Sequence, residues 1–359
     1  MINEMKSGFF SSKIVEWYAD HHRDLPWRKT RDPYKIWLSE IILQQTRVLQ
    51  GLPYYREFVR RYPTVRALAA AREQDILRSW QGLGYYSRAR NLRKCAQAIT
   101  SRPGAKFPET ASELRTLPGI GTYTSAAIAS LAFDEKIAVV DGNVFRVLGR
   151  LFGIDDDIST NRGRKIFETL ANQLMPTTNP GTHNQAVMEF GALHCLPVNP
   201  KCSSCIFETG CYAARHGMQD QLPVKSKSKK PSRRYFYYMV IRRGKKLMMR
   251  KRVERDIWTG LFDFPLFETK KPIATSRIAA LVGLRSSPNA RIQVKISKEF
   301  KHILSHQIIR ARFLEMPAKQ KDELRVEIIA DARYYSPAEV RRLPKPVLIS
   351  RYLETTGFL

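Results

Sequence analysis

Residues 117–121 of the chain read Leu-Pro-Gly-Ile-Gly, a glycine-rich segment between two stretches of helical character. Two glycines on either side of one apolar residue allow a tight turn. A turn of this kind at the start of a helix presents backbone N–H groups that bind a phosphate oxygen without a charged side chain. An ordinary connection between two helices is the alternative. The segment therefore predicts two helices joined by a turn that can hold a phosphate at Gly119 and Gly121.

A carboxylate follows the second of these helices. Residues 139–144 read Val-Val-Asp-Gly-Asn-Val, and Asp141 is placed to cap a helix predicted over 144–151. Capping alone is one interpretation of this residue. A capping carboxylate beside a phosphate-binding turn also faces the bound sugar, where it can stabilise a developing positive charge.

Glu40 is a second carboxylate of interest, because it interrupts an apolar stretch that runs from Ile36 to Leu43. Burial in such a stretch raises the pKa of a carboxyl group, which then holds a proton near neutral pH. A position at the rim of the apolar face is the alternative. A proton donor and a carboxylate in opposed environments form the pair that cleaves a glycosidic bond through an oxocarbenium-like transition state.

Four cysteines lie close together in the sequence with the spacing C-x6-C-x2-C-x5-C: Cys195, Cys202, Cys205 and Cys211. Four thiolates in one short segment can surround a metal centre. Structural zinc usually takes two short Cys pairs separated by a longer loop, whereas the uneven spacing here favours a [4Fe–4S] cluster. We expect a structural cluster in the loop at about residues 190–215, with zinc as the alternative, and we expect Cys95 to be a core residue.

Composition indicates a polyanionic partner. The 359 residues suggest two or three domains, and 61 Lys and Arg against 33 Asp and Glu leave a net charge of +28. Such a charge favours nucleic acid, although a generally basic cytosolic protein has the same composition. No apolar run approaches the roughly 18 residues of a membrane span, and the N-terminus has no signal-peptide pattern, so we expect a cytoplasmic protein.

The chain changes character after the last clustered cysteine. Residues 1–221 read as helical, and the basic segment 222–234 reads as a linker by composition. Beyond it, strands are predicted over 235–241, 247–249, 292–296 and 308–313, with helices near 336–342 and 347–353. The second domain, 235–359, is therefore predicted to be α+β.

Several segments in the same order resemble the A/G-specific adenine DNA glycosylases of the helix–hairpin–helix superfamily: 39–46, 82–86, 117–121, 141–143 and the four cysteines. The resemblance is close over residues 10–225. Residues 255–265 resemble the start of the Nudix-like domain that these enzymes carry at their C-terminus. The resemblance implies an all-α helix–hairpin–helix glycosylase domain with an iron–sulfur cluster loop, followed by an α+β Nudix-like domain.

The resemblance also implies an activity, the removal of adenine mispaired with 8-oxoguanine or guanine from double-stranded DNA in base excision repair. The adenine is flipped out of the stack into a pocket. By similarity, Glu40 protonates N7 of the adenine and Asp141 stabilises the cationic sugar, while Tyr123 and Asn143 align these two carboxyl groups. The residues that match the adenine pocket of the family are Trp27, Arg28 and Gln185.

Contacts to the DNA around the lesion are implied for residues in both domains. The residues concerned are Gln45, Thr46, Leu83, Tyr85, Gly119, Gly121, Ser305 and His306. Core packing is the alternative for Leu83 and Tyr85, and an exposed loop histidine is the alternative for His306. This chain has Leu304 where the family often has an aromatic residue. The Glu-rich R-E-x-x-E-E run of Nudix hydrolases is missing after Pro265, so we expect no metal-dependent hydrolysis by the second domain.

Two other functions compete with this prediction. Bifunctional relatives such as endonuclease III carry a lysine at the position of Tyr123, and that amine forms a Schiff base with the sugar and cleaves the strand. Because this chain has tyrosine there, we expect base removal without intrinsic strand cleavage. A non-catalytic DNA-binding protein is the other competitor, but it would not need both carboxyl groups. We expect a nucleoid-associated monomer with one structural [4Fe–4S] cluster per chain.

Overall fold

The structure, a computed structural model, describes residues 7–226, 230–274, 277–278, 294–318 and 329–358. The described residues form two compact units. The first unit consists of residues 7–70 and 91–226, and the second consists of residues 71–90 together with the described residues from 230 onward. No helix in these ranges combines the length and the apolar character that crossing a membrane requires.

Residues 7–226 are helical throughout, as the sequence predicts. The α-helices are α1 Ser7–His21, α2 Pro33–Leu43, α3 Val48–Arg61, α4 Val65–Ala70, α5 Glu73–Ser79, α6 Ser87–Thr100, α7 Ala111–Leu114, α8 Thr122–Phe133, α9 Gly142–Phe152, α10 Asn161–Gln173, α11 Pro180–Leu193 and α12 Tyr212–His216. Short 3₁₀ turns lie at Pro26–Arg28, Pro103–Ala105, Cys202–Ser204 and Glu208–Gly210.

Local sequence signals explain where the helices that carry the candidate site begin. Asp32 caps α2 by accepting a hydrogen bond from the backbone N–H of Tyr34 at 2.9 Å, and Pro33 occupies the first helical position. Pro180 likewise occupies the first helical position of α11, although no side chain caps that helix. Helix α9 ends at Gly153, whose φ of 69° is left-handed. A core of buried side chains from α1, α9, α10 and α11 holds these helices together.

The second unit is built on a mixed sheet. Its strands are β1 Ser232–Arg243, β2 Lys246–Lys251, β3 Phe262–Asp263, β4 Leu266–Thr269, β5 Lys295–Ile296, β6 Phe300–Ile303, β7 Gln307–Pro317 and β8 Arg333–Tyr335, and its last helices are α13 Pro337–Arg342 and α14 Val347–Thr355.

Strand β1 lies at the centre of this sheet. It pairs antiparallel with β2 and β4, and parallel with β7 from Ser232 opposite Gln307 to Arg242 opposite Pro317. The strands predicted over 235–241, 247–249 and 308–313 are thus confirmed, as are the two C-terminal helices.

The predicted linker is structured at both ends. Leu222 is buried in the first unit, where its carbonyl accepts a hydrogen bond from Arg150, and β1 begins at Ser232 because its pairing with β7 extends that far. Of the strand predicted over 292–296, residues 292 and 293 lie outside the described residues. The domain limits at residues 221 and 234 stay predictions.

Candidate active site

Glu40 is buried on helix α2, with 7% of its surface exposed. Burial raises the pKa of its carboxyl group to about 7. A hydrogen bond from Tyr123 and the positive charge of Arg28 act in the opposite direction, and the negative charge of Asp141 adds to the increase. The carboxyl group therefore holds a proton for much of the time at neutral pH, as the sequence predicts.

Asp141 caps helix α9, also as predicted. Its Oδ1 accepts hydrogen bonds from the backbone N–H groups of Asn143 and Val144, both at 2.8 Å, and its Oδ2 accepts one from Asn143 Nδ2 at 2.8 Å. Burial raises the pKa of Asp141 too, and these hydrogen bonds oppose the increase. The two carboxyl groups differ in burial, since Glu40 is buried and Asp141 is only partly buried, and they also differ in their hydrogen-bond donors.

Tyr123 interacts with both carboxyl groups. It lies in the first turn of α8, and its hydroxyl group contacts Met188 Sδ at 3.6 Å and hydrogen-bonds Glu40. Burial raises the pKa of this phenol well above its usual value, and the negative charges of Glu40 and Asp141 raise it further. Tyr123 is therefore a neutral hydrogen-bond donor.

An ion-pair network lies beside Glu40. Arg28 donates from Nε to Gln185 Oε1 at 3.2 Å and from its two terminal nitrogens to the Glu189 carboxylate at 2.8 and 2.7 Å. Arg23 donates to the same carboxylate. Burial alone would raise the pKa of Glu189, but the hydrogen bonds from Arg23 and Arg28 outweigh it and lower that pKa to about 2.

The sequence named Trp27, Arg28 and Gln185 as candidates for the adenine pocket and gave no sign of Arg23 or Glu189. Trp27 is buried, with its ring packed edge-to-face on Tyr55 at 5.0 Å. A cavity of about 300 Å³ in the first unit is lined by Trp27, Arg28 and Gln185 among others. These three side chains thus line one cavity. Arg28 is also the residue whose positive charge lowers the pKa of Glu40.

The turn over residues 117–121 lies between α7 and α8, as predicted. Leu117 and Ile120 are buried, whereas Gly119 and Gly121 are exposed. Gly119 has a φ of 79°, and a Cβ atom there would lie 2.7 Å from Asn91 Cβ, so glycine is required. Gly121 is the N-cap of α8, and no side chain caps the first N–H groups of that helix.

Two of the residues implied in lesion contacts follow α2 in the first unit. Gln45 is exposed and has a left-handed φ of 56°, which is uncommon for this residue type. Thr46 is half-buried, and its hydroxyl group donates to the carbonyl of Gln44 at 3.3 Å.

The other implied lesion contacts lie in the second unit, around a cavity of about 430 Å³. Leu83 is buried in its wall, and Tyr85 is 41% exposed with its hydroxyl group hydrogen-bonded to the side chain of Ser305. Ser305 and His306 are both exposed in the loop between β6 and β7. The core-packing alternative thus suits Leu83 better than Tyr85.

The four clustered cysteines line one small cavity after α11. Burial raises the pKa of the Cys205 thiol to about 11, and the other three cysteines add to this increase because they lie close by. Arg150 and Lys201 line the same cavity. Among the described residues, however, no three ligand side chains are grouped tightly enough to hold a single ion. A zinc ion needs its thiolates about 2.3 Å from one point, whereas a cubane binds each cysteine through a different iron.

The first unit thus holds together a proton donor, a hydrogen-bonded carboxylate and a neutral phenol, next to a helix start that can bind a phosphate. Comparison with known proteins gives the class: residues 38–173 match the family described as HhH-GPD superfamily base excision DNA repair protein, and residues 237–355 match the NUDIX domain. The protein is a helix–hairpin–helix DNA glycosylase with a Nudix-like second domain.

The relatives narrow this class. An adenine DNA glycosylase of Buchnera aphidicola subsp. Schizaphis graminum is 38% identical over 262 residues, which cover 73% of this chain and 76% of the relative. The chain belongs to the adenine DNA glycosylase family.

Two solved structures share the fold of the first part of the chain. A thermostable thymine-DNA glycosylase is similar with a TM-score of 0.54 and 32% identity, over 59% of this chain and 97% of that one. A trapped endonuclease III–DNA covalent intermediate has a TM-score of 0.53 at 22% identity, over 61% of this chain and 100% of that one, which shows the fold alone.

Proposed function

We propose that the protein hydrolyses the N-glycosidic bond of adenine mispaired with 8-oxoguanine or guanine in double-stranded DNA, without cleaving the strand. The observation that carries this proposal is the coupling of Glu40, whose pKa is raised to about 7, with the hydrogen-bonded Asp141 carboxylate. One group can donate a proton at neutral pH while the other offers negative charge, the division of roles that glycosidic cleavage requires.

The reaction begins with proton transfer from Glu40 to N7 of the flipped-out adenine. The C1′–N9 bond then breaks, its electron pair leaves with the now neutral base, and positive charge develops on the sugar. The Asp141 carboxylate stabilises this cation as an ion pair or as a short-lived covalent ester. Glu40, now ionised, accepts a proton from the water that attacks C1′, which restores both carboxyl groups.

Tyr123 and Asn143 act as positioning residues in this scheme, because one donates a hydrogen bond to Glu40 and the other holds Asp141. Trp27, Arg28 and Gln185 would line the adenine pocket. Arg28 is fixed there by Glu189, which makes Glu189 a support for the pocket.

The deciding experiment incubates the protein with a duplex that carries adenine opposite 8-oxoguanine. We expect abasic sites that appear as strand breaks only after alkali. Breaks without alkali, together with a covalent DNA adduct on borohydride reduction, would instead establish a bifunctional lyase of the endonuclease III type. Full activity of Glu40→Gln would refute the proposed chemistry.

DNA binding is proposed to use the hairpin and the lesion-contacting residues. Gly119 and Gly121 are exposed at the start of a helix that no side chain caps, which suits a phosphate oxygen, and the exposed side chains of Gln45, Tyr85 and Ser305 suit the neighbourhood of the lesion. His306 is exposed and near the side chain of Gln307, so it remains able to hydrogen-bond a base.

We also propose that Cys195, Cys202, Cys205 and Cys211 hold one [4Fe–4S] cluster per chain in a structural role. Their shared cavity supports a common metal centre, and their uneven spacing in the sequence favours a cluster over zinc. The loop that would carry the cluster is also held to α9 directly, because Arg150 donates to the carbonyl of Leu196 at 2.6 Å. Iron and acid-labile sulfide should each reach about four per chain, with negligible zinc.

A further inference from the structure

The turn over residues 82–85 has an unusual backbone. Gly82, Gly84 and Tyr85 all have left-handed φ angles, of 106°, 71° and 47°. Glycine adopts such angles freely, but tyrosine does so only where its surroundings impose them. The turn is therefore held in place by side chains that pack against it.

Arg88 is the side chain best placed to hold the turn. It is only 9% exposed, and its Nη2 donates to the carbonyl oxygens of Leu83 and Gly84 at 3.2 and 3.3 Å. Its guanidinium carbon lies 5.0 Å from the ring centre of Trp80 and 5.7 Å from that of Tyr85. Trp80 Nε1 donates to the same Gly84 carbonyl at 2.9 Å.

These contacts depend on the shape of the guanidinium group. One terminal nitrogen donates to both carbonyl oxygens while the guanidinium plane lies against two aromatic rings. A lysine ammonium could donate to the carbonyl oxygens but has no planar surface to stack on the rings. Burial lowers the pKa of Arg88 to about 10, so the group still carries its charge at neutral pH.

The turn presents Tyr85 toward the loop between β6 and β7. The Tyr85 ring is 41% exposed, and its hydroxyl group shares a hydrogen bond with Ser305. Both residues belong to the wall of the 430 Å³ cavity of the second unit. Arg88 itself is buried behind the turn and is not among the residues that line this cavity.

We propose that Arg88 is a positioning residue for lesion discrimination. It fixes the 82–85 turn so that Tyr85, hydrogen-bonded to Ser305, contacts the base opposite the adenine in a single orientation. The proposal rests on the proposed function, in which Tyr85 and Ser305 contact the 8-oxoguanine. Arg88 touches neither DNA nor adenine in this scheme and acts only through the backbone of the turn and the ring of Tyr85.

The test uses the full-length protein and two substitutions, Arg88→Lys and Arg88→Met. Single-turnover rates of adenine release are measured for adenine opposite 8-oxoguanine and opposite guanine. Dissociation constants for the two duplexes are measured in the Glu40→Gln background. We expect the affinity ratio between the two duplexes to fall about tenfold, while the rate with the guanine duplex changes less than about threefold. Arg93→Lys, on the same helix, is the matched control and should keep the wild-type ratio.

A second variant tests the turn without altering Arg88. A Cβ atom at Gly84 has open space around it, so Gly84→Ala changes only the cost of the left-handed backbone. It should lower the affinity ratio in the same direction as Arg88→Met, and it decides the matter if Arg88→Met does not fold.

Three outcomes are distinguishable. An unchanged ratio in the Arg88 variants or in Gly84→Ala overturns the proposal. Equal losses on both duplexes also overturn it, because they show a merely structural role. A wild-type protein that does not distinguish the two duplexes refutes the proposed lesion contacts themselves and not the packing of Arg88.

Discussion

The hydroxyl group of Tyr123 donates a hydrogen bond to the carboxyl group of Glu40, and this bond holds the pKa of Glu40 at about 7, below the value that burial alone would give. The phenol thus keeps the proton donor within reach of neutral pH. In bifunctional glycosylases a lysine amine occupies this sequence position and attacks the sugar. Here the same position adjusts the acidity of the proposed proton donor.

Tyr123→Phe should therefore move the pH dependence of adenine release. Without the hydrogen bond to its ionised form, Glu40 has a higher pKa, and the decline in rate on the alkaline side shifts upward by roughly one pH unit. Single-turnover rates across the range from about pH 5 to about pH 9 measure the shift. A shift in the acidic direction would show that Tyr123 does not donate to Glu40.

Glu40→Gln should abolish adenine release and yet stabilise the protein at alkaline pH. The pKa of Glu40 rises from 4.5 to about 7 on folding, so the unfolded chain loses this proton first and stability falls as the pH rises through that interval. The substitution removes this cost, which is at most ~3 kcal/mol. Unfolding in denaturant should show a gain at about pH 8 that vanishes toward pH 4.5. Glu109→Gln, an exposed control, should show no such gain.

Asp141→Asn and Asp141→Ala should separate catalysis from capping. Both remove the negative charge that stabilises the sugar cation in the proposed mechanism, so both should lose adenine release. Asparagine caps helices as well as aspartate does, whereas alanine leaves two backbone N–H groups of α9 without their acceptor and costs ~1 kcal/mol. Thermal unfolding should thus leave the asparagine variant at wild-type stability. Residual activity of the asparagine variant near the wild-type rate would contradict the assigned role.

Glu189→Gln should impair both stability and the rate. The Glu189 side chain is 1% exposed and holds Arg28, which is 10% exposed, so the substitution leaves a buried guanidinium group without its counter-charge. Loss of one partner of a buried pair costs roughly 3 kcal/mol. Because the pKa of Glu189 is lowered to about 2, this loss should be constant over neutral pH and shrink only as the pH falls below 4.5. Arg23→Lys alters the more exposed ion pair with Glu189 and should lower the free energy of unfolding far less.

Duplex affinity should fall steeply with salt, because cationic residues release counterions from the DNA phosphates. With about six phosphate contacts, the loss is roughly a thousandfold between about 50 and about 200 mM salt. Fluorescence anisotropy with the Glu40→Gln variant measures it without turnover. A flat salt dependence would contradict the link between the +28 charge and DNA binding.

Local signals in the sequence predicted much of the candidate site. The turn at 117–121, the cap at Asp141 and the burial of Glu40 each follow from a few neighbouring residues. Contacts between distant residues could not be predicted in this way. Glu189 reads as an ordinary helical glutamate, and its partner Arg28 lies 161 residues away in the sequence. The burial of Asp141 likewise depends on how helices pack, which the capping motif does not reveal.

The second compact unit draws residues from both sides of the basic segment, and this has a consequence for recombination. Gln81 Nε2 donates to Ser350 Oγ at 3.1 Å, and Arg90 donates to the carbonyl of Thr259 at 2.6 Å. A chimera spliced near residue 230 would combine residues 71–90 of this chain with the C-terminal part of a homologue. Residues 71–90 pack against the C-terminal part of their own chain and would lose those contacts. Successful exchanges between homologues should therefore transplant both stretches together.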